Sequence, residues 1–341
     1  MRRGILFLSV MSLLLCGCSG MRHSQQKQYT ATFLTLFDTV TTIVGPGETE
    51  EAFREQAQEI HDELLVYHRL FDIYNEYEGV INLKNVNDQA GLAPVTVDPV
   101  VIELLKDCKS YYELTGGKVN AAMGSVLSLW HDARSKGIND PINAKLPDME
   151  KLKDAAAHTE MDSIVIDEDA STVFFEDPLV RLDVGAIAKG WAAERVAESA
   201  PEGLLISVGG NVCATGPKYS DGTPWVIGIQ DPDGSGSNAH TIYLPEGSVV
   251  TSGDYQRAYT VDGKSYHHII DPESCMPAEY WRSVSIVCGD SGLGDVLSTA
   301  LFLMPLEEGK ALAEGCGAEA FWIDMDGHEY MTDGFDKMIR T

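Results

Sequence analysis

Between residues 48 and 71, Phe53, Ala57, Ile60, Leu64, Tyr67 and Phe71 recur at spacings of three and four after an acidic start. That period predicts an amphipathic helix. It returns over 98–113 through Val101, Leu104, Leu105, Cys108 and Tyr112, and Gly116-Gly117 breaks it. An apolar stretch then runs to Trp130, and Pro147-Asp148 opens another short helix. After residue 160 the texture changes to strands and turns. SIVIDEDASTVFF reads as a hairpin; LLISVGGNVCATG, PWVIGIQ, AHTIYL and GSVVTSG read as successive strands. YQRAYTVDGKSYHHII predicts a hairpin turning at Asp262-Gly263, and FWIDMDGHEYM a last one around Asp326-Gly327. Residues 292–303 and 305–314 read as helices. The interleaving predicts an α/β (α+β) fold with a largely antiparallel sheet and packed helices. No clear linker splits the body, so 31–341 reads as one domain, with two tightly packed halves as the alternative.

The first residues have another pattern. Met1-Arg2-Arg3 is a basic start, and Gly4–Leu15 is an apolar run too short for a comfortable membrane span. Leu15-Cys16-Gly17-Cys18 follows and fits a bacterial lipobox, with Cys18 as the lipidated residue; a plain cleaved secretory signal is the alternative. The expectation is a signal peptide over 1–17, a lipidated polar tether over 18–30 and an extracytoplasmic protein anchored to the bacterial membrane through Cys18.

Composition narrows the function. The formal net charge of −27 repels polyanions, and no basic patch with interleaved aromatics is present, so nucleic acid is excluded as a partner. A nucleotide ligand would need local compensation from backbone N–H groups, a lysine or a metal ion. Beyond the lipobox stand Cys108, Cys213, Cys275, Cys288 and Cys316. Their odd number forbids complete internal pairing, and the absence of C-x-x-C argues against a zinc or redox site.

Four local features could carry chemistry, the last of them spread over two stretches. In RLDVGAIAKGW (181–191), a strand ending at Asp183 and a helix starting near Gly185 would aim free N–H groups outward, with Lys189 beside them. A structural strand–helix corner explains the same residues. In SGLGDVLSTALFLM, Asp295 and Thr299 lie four apart, on one face of a helix, and offer hard oxygens suited to Mg²⁺. An acid near a helix start is the plain alternative. In YHHIIDPESCMP, adjacent histidines point to opposite faces of a strand, and His268 is a candidate base or an ordinary edge-strand histidine. The glycines of LISVGGNV and VVTSGDYQR permit close ligand approach or tight turns.

Taken in order, FDTVTTI, RLFDIYNEYEGVINLKNVNDQAG, NAAMGSVLSLW, LDVGAIAKGWAAERVAE, LISVGGNVCATG, VIGIQDP, VVTSGDYQR, HHIIDP and GDVLSTALFLM resemble the ApbE family of flavin transferases, from about residue 32 to the end. The resemblance implies a single T-fold-like domain that takes FAD as substrate and Mg²⁺ as cofactor. It transfers FMN to a threonine of an extracytoplasmic flavoprotein, such as a membrane redox-complex subunit, and releases AMP. It places the metal on the Ala186 carbonyl, Asp295 and Thr299. It places FAD against Phe37, Tyr74, Ala121, Ala122, Met123, Asp183, Lys189 and Ile269, and makes His268 the catalytic residue. Two positions depart from the family pattern: Asn120 replaces an acid, and Cys275 replaces a glycine. The alternatives are a Mg²⁺-dependent FAD pyrophosphatase, which needs no different residues, and a flavin-binding lipoprotein without catalysis.

Overall fold

The computed structural model describes residues 27–234 and 236–340. The expected signal peptide over 1–17 and Cys18 lie outside the described residues. Strands β1 (Gln28–Phe33) and β2 (Thr41–Pro46) flank a short 3-10 turn at Leu36–Asp38. Helix α1 (Glu50–Phe71) follows, then α2 (Leu83–Asp88), β3 (Val95–Thr96), α3 (Pro99–Leu114), α4 (Gly124–Asn139) and α5 (Met149–Ala156). Next come β4 (Ile164–Asp167), β5 (Thr172–Phe175), α6 (Ala188–Ser199), β6 (Leu205–Val208) and β7 (Asn211–Ala214). The chain continues through β8 (Trp225–Gln230), β9 (Asn238–Leu244), β10 (Gly247–Gly253), β11 (Tyr259–Val261), β12 (Lys264–Tyr266) and β13 (Trp281–Cys288). It ends with α7 (Ser291–Phe302), α8 (Leu306–Gly315), β14 (Glu319–Asp324), β15 (Glu329–Met331) and α9 (Asp333–Met338).

The main sheet has eight antiparallel strands in the order β1-β2-β6-β7-β10-β13-β14-β15. Alternation along its strands divides the core. Val284, Ile286, Ala320 and Trp322 face the helical layer of α3, α6, α7 and α8. Val287, Phe321 and Ile323 face the other way and are covered by the β8–β9 hairpin and Phe335 of α9. Helix α1 closes the β1–β2 end through Phe53, Ala57, Ile60 and Leu64 against Ile43, Ile206 and α6. Helix α7 is apolar nearly all round and buried on almost every side, lying against β10 and β13. Among the described residues no helix is long and apolar enough to cross a membrane.

The predicted helices and hairpins form close to their expected bounds, and the α/β architecture with antiparallel sheets is the observed one. Four local differences have physical causes. Strand β1 takes in residues 28–30, assigned above to the tether, because Gln28, Tyr29 and Thr30 pair with Pro46, Gly45 and Val44. The segment before Asp183 makes one isolated bridge, Arg181 to Met123, rather than a strand. The helix after it begins at Ala188, not near Gly185, because the Gly190 N–H, which would close an earlier turn on the Ala186 carbonyl, is taken by the Asp295 side chain at 2.9 Å. His267 and His268 lie beyond the end of β12, so they are not edge-strand residues. The central strand β13 is buried on both faces, so Ser283 and Ser285 are as enclosed as Val284 and Ile286.

Candidate active site

The corner at 181–191 is fixed from outside. The buried side chain of Asn87 accepts from the Leu182 N–H (2.7 Å) and donates to the Leu182 carbonyl (3.0 Å), acting as a substitute strand. The Asp183 N–H donates to the Ala121 carbonyl at 2.8 Å. These bonds turn the Asp183 carboxylate and the following loop toward a cavity of about 550 Å³, within the range of small-molecule sites.

Helices α6 and α7 meet at the floor of that cavity. Gly190 lies so close to α7 that a Cβ there would stand 2.2 Å from the Ser291 carbonyl oxygen and 2.6 Å from Cβ of Asp295. The contact lets the Gly190 N–H donate to Oδ2 of Asp295 at 2.9 Å. In a helix begun earlier that N–H would close on the Ala186 carbonyl. Here the Ala186 carbonyl receives no amide donor among the described residues. Asp295 is 4% exposed, and Lys189 Nζ lies 3.2 Å from each of its carboxylate oxygens. Thr299 stands one turn further along α7, and Ala186, Lys189, Asp295 and Thr299 all line the cavity. One carboxylate, one hydroxyl and one unpaired carbonyl are a hard-oxygen donor set of the kind Mg²⁺ takes together with phosphate and water oxygens. Among the described residues no group of three or more His, Cys, Asp or Glu is gathered as a metal site. The residues present fit the metal.

The walls combine aromatic and cationic groups. Phe37, Tyr74, Ala121, Met123, Asp183, His268 and Ile269 line the same cavity. Ala122 does not: it is fully buried in the core behind them, and its N–H donates to Asn120 Oδ1 at 2.8 Å. The Asn120 amide also donates to the Thr159 carbonyl at 2.8 Å, which an acid at that position does not do. Tyr74 stacks on His131 with centroids 4.9 Å apart. Of the cations on the walls, Lys118 pairs with Glu273 (2.7 Å) and Lys189 with Asp295. Arg134 and Arg257 line the cavity without a carboxylate partner among the described residues. Burial, followed by the neighbouring Arg257, pulls Arg134 below its ordinary value. Two guanidiniums without a carboxylate partner among the described residues form, in so acidic a chain, the local compensation that an anionic ligand needs.

These cations shape the titration of their neighbours. Burial pushes the Asp183 carboxyl up, opposed by the Gly185 N–H and by His131, Arg257 and Arg134. Burial, with Arg257, Arg134, His267 and Lys189 around it, pushes His268 down to about 3. The ring is therefore neutral at pH 7, and its sealed Nδ1 has no hydrogen-bond partner. His267 is anchored away from the cavity, with Nε2 2.9 Å from the Ala278 carbonyl oxygen and Nδ1 accepting from the Ile269 N–H at 3.2 Å. The reading of the sequence found the Asp295–Thr299 pair and His268. It missed Arg134, His131 and His68, whose positions on amphipathic helices carry no local signature. Arg257 ends the quoted VVTSGDYQR stretch, and that adjacency was the available signal.

Comparison with known proteins agrees with this geometry. The chain is 33% identical over 313 residues to the FAD:protein FMN transferase of Treponema pallidum, covering 84% of each chain. It is 33% identical over 264 residues to that of Klebsiella pneumoniae, covering 74% of this chain and 79% of the relative. The crystal structure of the ApbE protein from Thermotoga maritima superposes with a TM-score of 0.80 at 30% identity, covering 92% of this chain and all of that one. The flavin transferase ApbE of Vibrio cholerae, at 24% identity and a TM-score of 0.75, shares the fold. The ApbE family model matches residues 35–322, and the chain belongs to the ApbE family.

Proposed function

We propose that the protein is a Mg²⁺-dependent FAD:protein FMN transferase that attaches FMN through a phosphoester to a threonine of an extracytoplasmic flavoprotein and releases AMP. The observation that carries the reading is the convergence, in one cavity, of the Ala186 carbonyl, Asp295, Thr299, neutral His268, Arg134 and Arg257. The bilateral identity to named transferases supports the activity.

In this reading the Ala186 carbonyl, Asp295 and Thr299 hold the metal, which when bound supplies Lewis-acid polarisation of the pyrophosphate. The chain's own groups do the rest. Lys189, Arg134 and Arg257 offset the charge of the two phosphates. With the hydrogen on its sealed Nδ1, neutral His268 accepts the proton of the threonine hydroxyl at Nε2 as Oγ bonds the FMN phosphorus. The bond from that phosphorus to the AMP phosphate oxygen breaks, and AMP leaves with its electron pair. An anionic substrate raises the affinity of His268 for that proton, countering the cations that depress it in the free protein. Anchoring through Cys18 would keep the transferase near membrane acceptors.

The test is incubation with FAD, Mg²⁺ and a threonine-containing acceptor domain. Covalent fluorescent flavin on the acceptor together with AMP supports transfer. Free FMN without labelled acceptor supports hydrolysis, and stoichiometric FAD binding without AMP supports a carrier. Labelling with radioactive palmitate, lost in Cys18→Ala, tests the anchor.

A further inference from the structure

The rim of the cavity is made by backbone in an unfavourable conformation. Phe37 and Asp38 lie in the left-handed region, with φ of 52° and 54°, and so does Arg257, with φ of 46°. None of them is a glycine, so each must be held by its surroundings. The Arg257 guanidinium reaches the Phe37 carbonyl at 3.5 Å, and the Thr39 N–H closes on the Leu36 carbonyl at 3.0 Å. The Phe37 N–H donates to Nδ1 of His68, in the last turn of α1, at 3.2 Å. The two rings also meet edge to face with centroids 5.4 Å apart.

The rest of the chain of bonds fixes the state of that imidazole. Asp72, directly after α1, accepts from the Tyr77 hydroxyl at 2.7 Å. The Tyr77 oxygen has then spent its only proton, and toward His68 Nε2, 3.3 Å away, it acts as acceptor. Nε2 therefore carries the hydrogen and Nδ1 the lone pair that receives the Phe37 N–H. Asp72 also accepts from the Tyr74 N–H at 2.7 Å. A single carboxylate thus supports both aromatic walls, Tyr74 directly and Phe37 through Tyr77 and His68.

We propose that His68 is a positioning residue for the substrate site: its neutral Nε2–H tautomer holds the left-handed Phe37–Asp38 segment over the cavity, and protonation at Nδ1 releases it. A protonated Nδ1 would face the Phe37 N–H donor to donor. The charged groups around the ring are Asp72 and Asp38, which favour protonation, and Arg69, which opposes it; burial is the largest influence and keeps His68 below its ordinary value. The bond is therefore intact at neutral pH and is lost below it.

The affinity arm of the test rests on the reading of the cavity as an FAD site; the exchange arm does not. Hydrogen exchange of the Phe37 amide is measured in the FAD-free full chain from pH 7.5 downward. FAD affinity is measured by flavin fluorescence over the same range. His68→Leu removes the acceptor, while His68→Asn places Oδ1 where Nδ1 stands and cannot titrate. Expected at pH 7.5 is a loss of Phe37 protection and of FAD affinity of about fivefold to tenfold in His68→Leu, the scale of one hydrogen bond, with near-wild-type values in His68→Asn. As the pH is lowered through the range below the ordinary histidine value the wild type loses both and His68→Asn changes in neither. Wild-type protection in His68→Leu, or the same pH response in wild type and His68→Asn, overturns the proposal. If His68→Leu does not fold, the wild type and His68→Asn decide alone. A wild-type protein that fails to bind FAD overturns the substrate reading and leaves the exchange arm to decide on His68.

Discussion

Asp295 is the residue on which the floor of the cavity depends. Its carboxylate takes the Gly190 N–H and faces Lys189, so Asp295→Asn keeps the shape and removes the charge. Acceptor labelling at saturating FAD should fall by at least about a hundredfold, with the chain still folded by circular dichroism. His268→Ala should lower labelling by about 10²- to 10⁴-fold, the range for a lost general base, with little change in FAD affinity. Transfer near the wild-type rate would remove His268 from the chemistry. Asn120 sits where the family pattern has an acid, and its amide joins the Ala122 N–H to the Thr159 carbonyl. Asn120→Asp puts a carboxylate against that carbonyl and should cost about 1–3 kcal/mol in urea unfolding. Cys275 stands where the family pattern has glycine, and its φ of 55° explains that glycine; the thiol side chain is nonetheless buried, beside Met123 and Trp130.

At the scale of elements, the site depends on how closely α6 approaches α7. Gly190 sets that distance, because the atoms a Cβ would meet are the Ser291 carbonyl and the Asp295 stem, neither of them the movable end of a side chain. Gly190→Ala should therefore lower stability by about 1–3 kcal/mol by overpacking, despite alanine's better helix propensity. The same change should weaken Mg²⁺-dependent transfer, because it displaces Asp295. A thermal midpoint equal to or above that of the wild type would show that the two helices separate without cost. The helices themselves were readable from their period. Their approach was not, since Gly190 and Asp295 are far apart in the chain and neither marks the other.

For the whole molecule the net charge of −27 is the dominant electrostatic fact. Self-repulsion of the compact state is screened by salt, so the urea midpoint should rise between about 0.01 and 0.3 M NaCl. A midpoint that falls would mean that attractive pairs outweigh the repulsion. Two half-buried histidines add a pH dependence of definite sign. His68 and His268 are both held below their ordinary value of 6.5 in the folded chain, His268 to about 3. The unfolded chain thus binds more protons below that value. Their contribution to stability is complete above it and is lost as the pH falls through the window beneath.

Much of the molecule was present in the order of its residues. Hydrophobic periods gave most helices and hairpins, because an element that buries one face must repeat its apolar residues at its own spacing. The Asp295–Thr299 spacing gave one face of a helix, and the succession of motifs gave the family. At 181–183 the sequence predicted a strand, whereas packing leaves a single bridge, Arg181 to Met123, because the side chain of Asn87 takes the backbone bonds of Leu182. Only the tertiary structure decided that Ala122 turns into the core while its neighbours line the cavity, and that Arg134 and Arg257 stand together without a carboxylate partner among the described residues. It also decided that a histidine in the last turn of α1 supports a strained rim at Phe37. Local order encodes which residues can form an element, whereas the distances between elements, and hence charge, tautomer and access at the site, arise only when the elements pack.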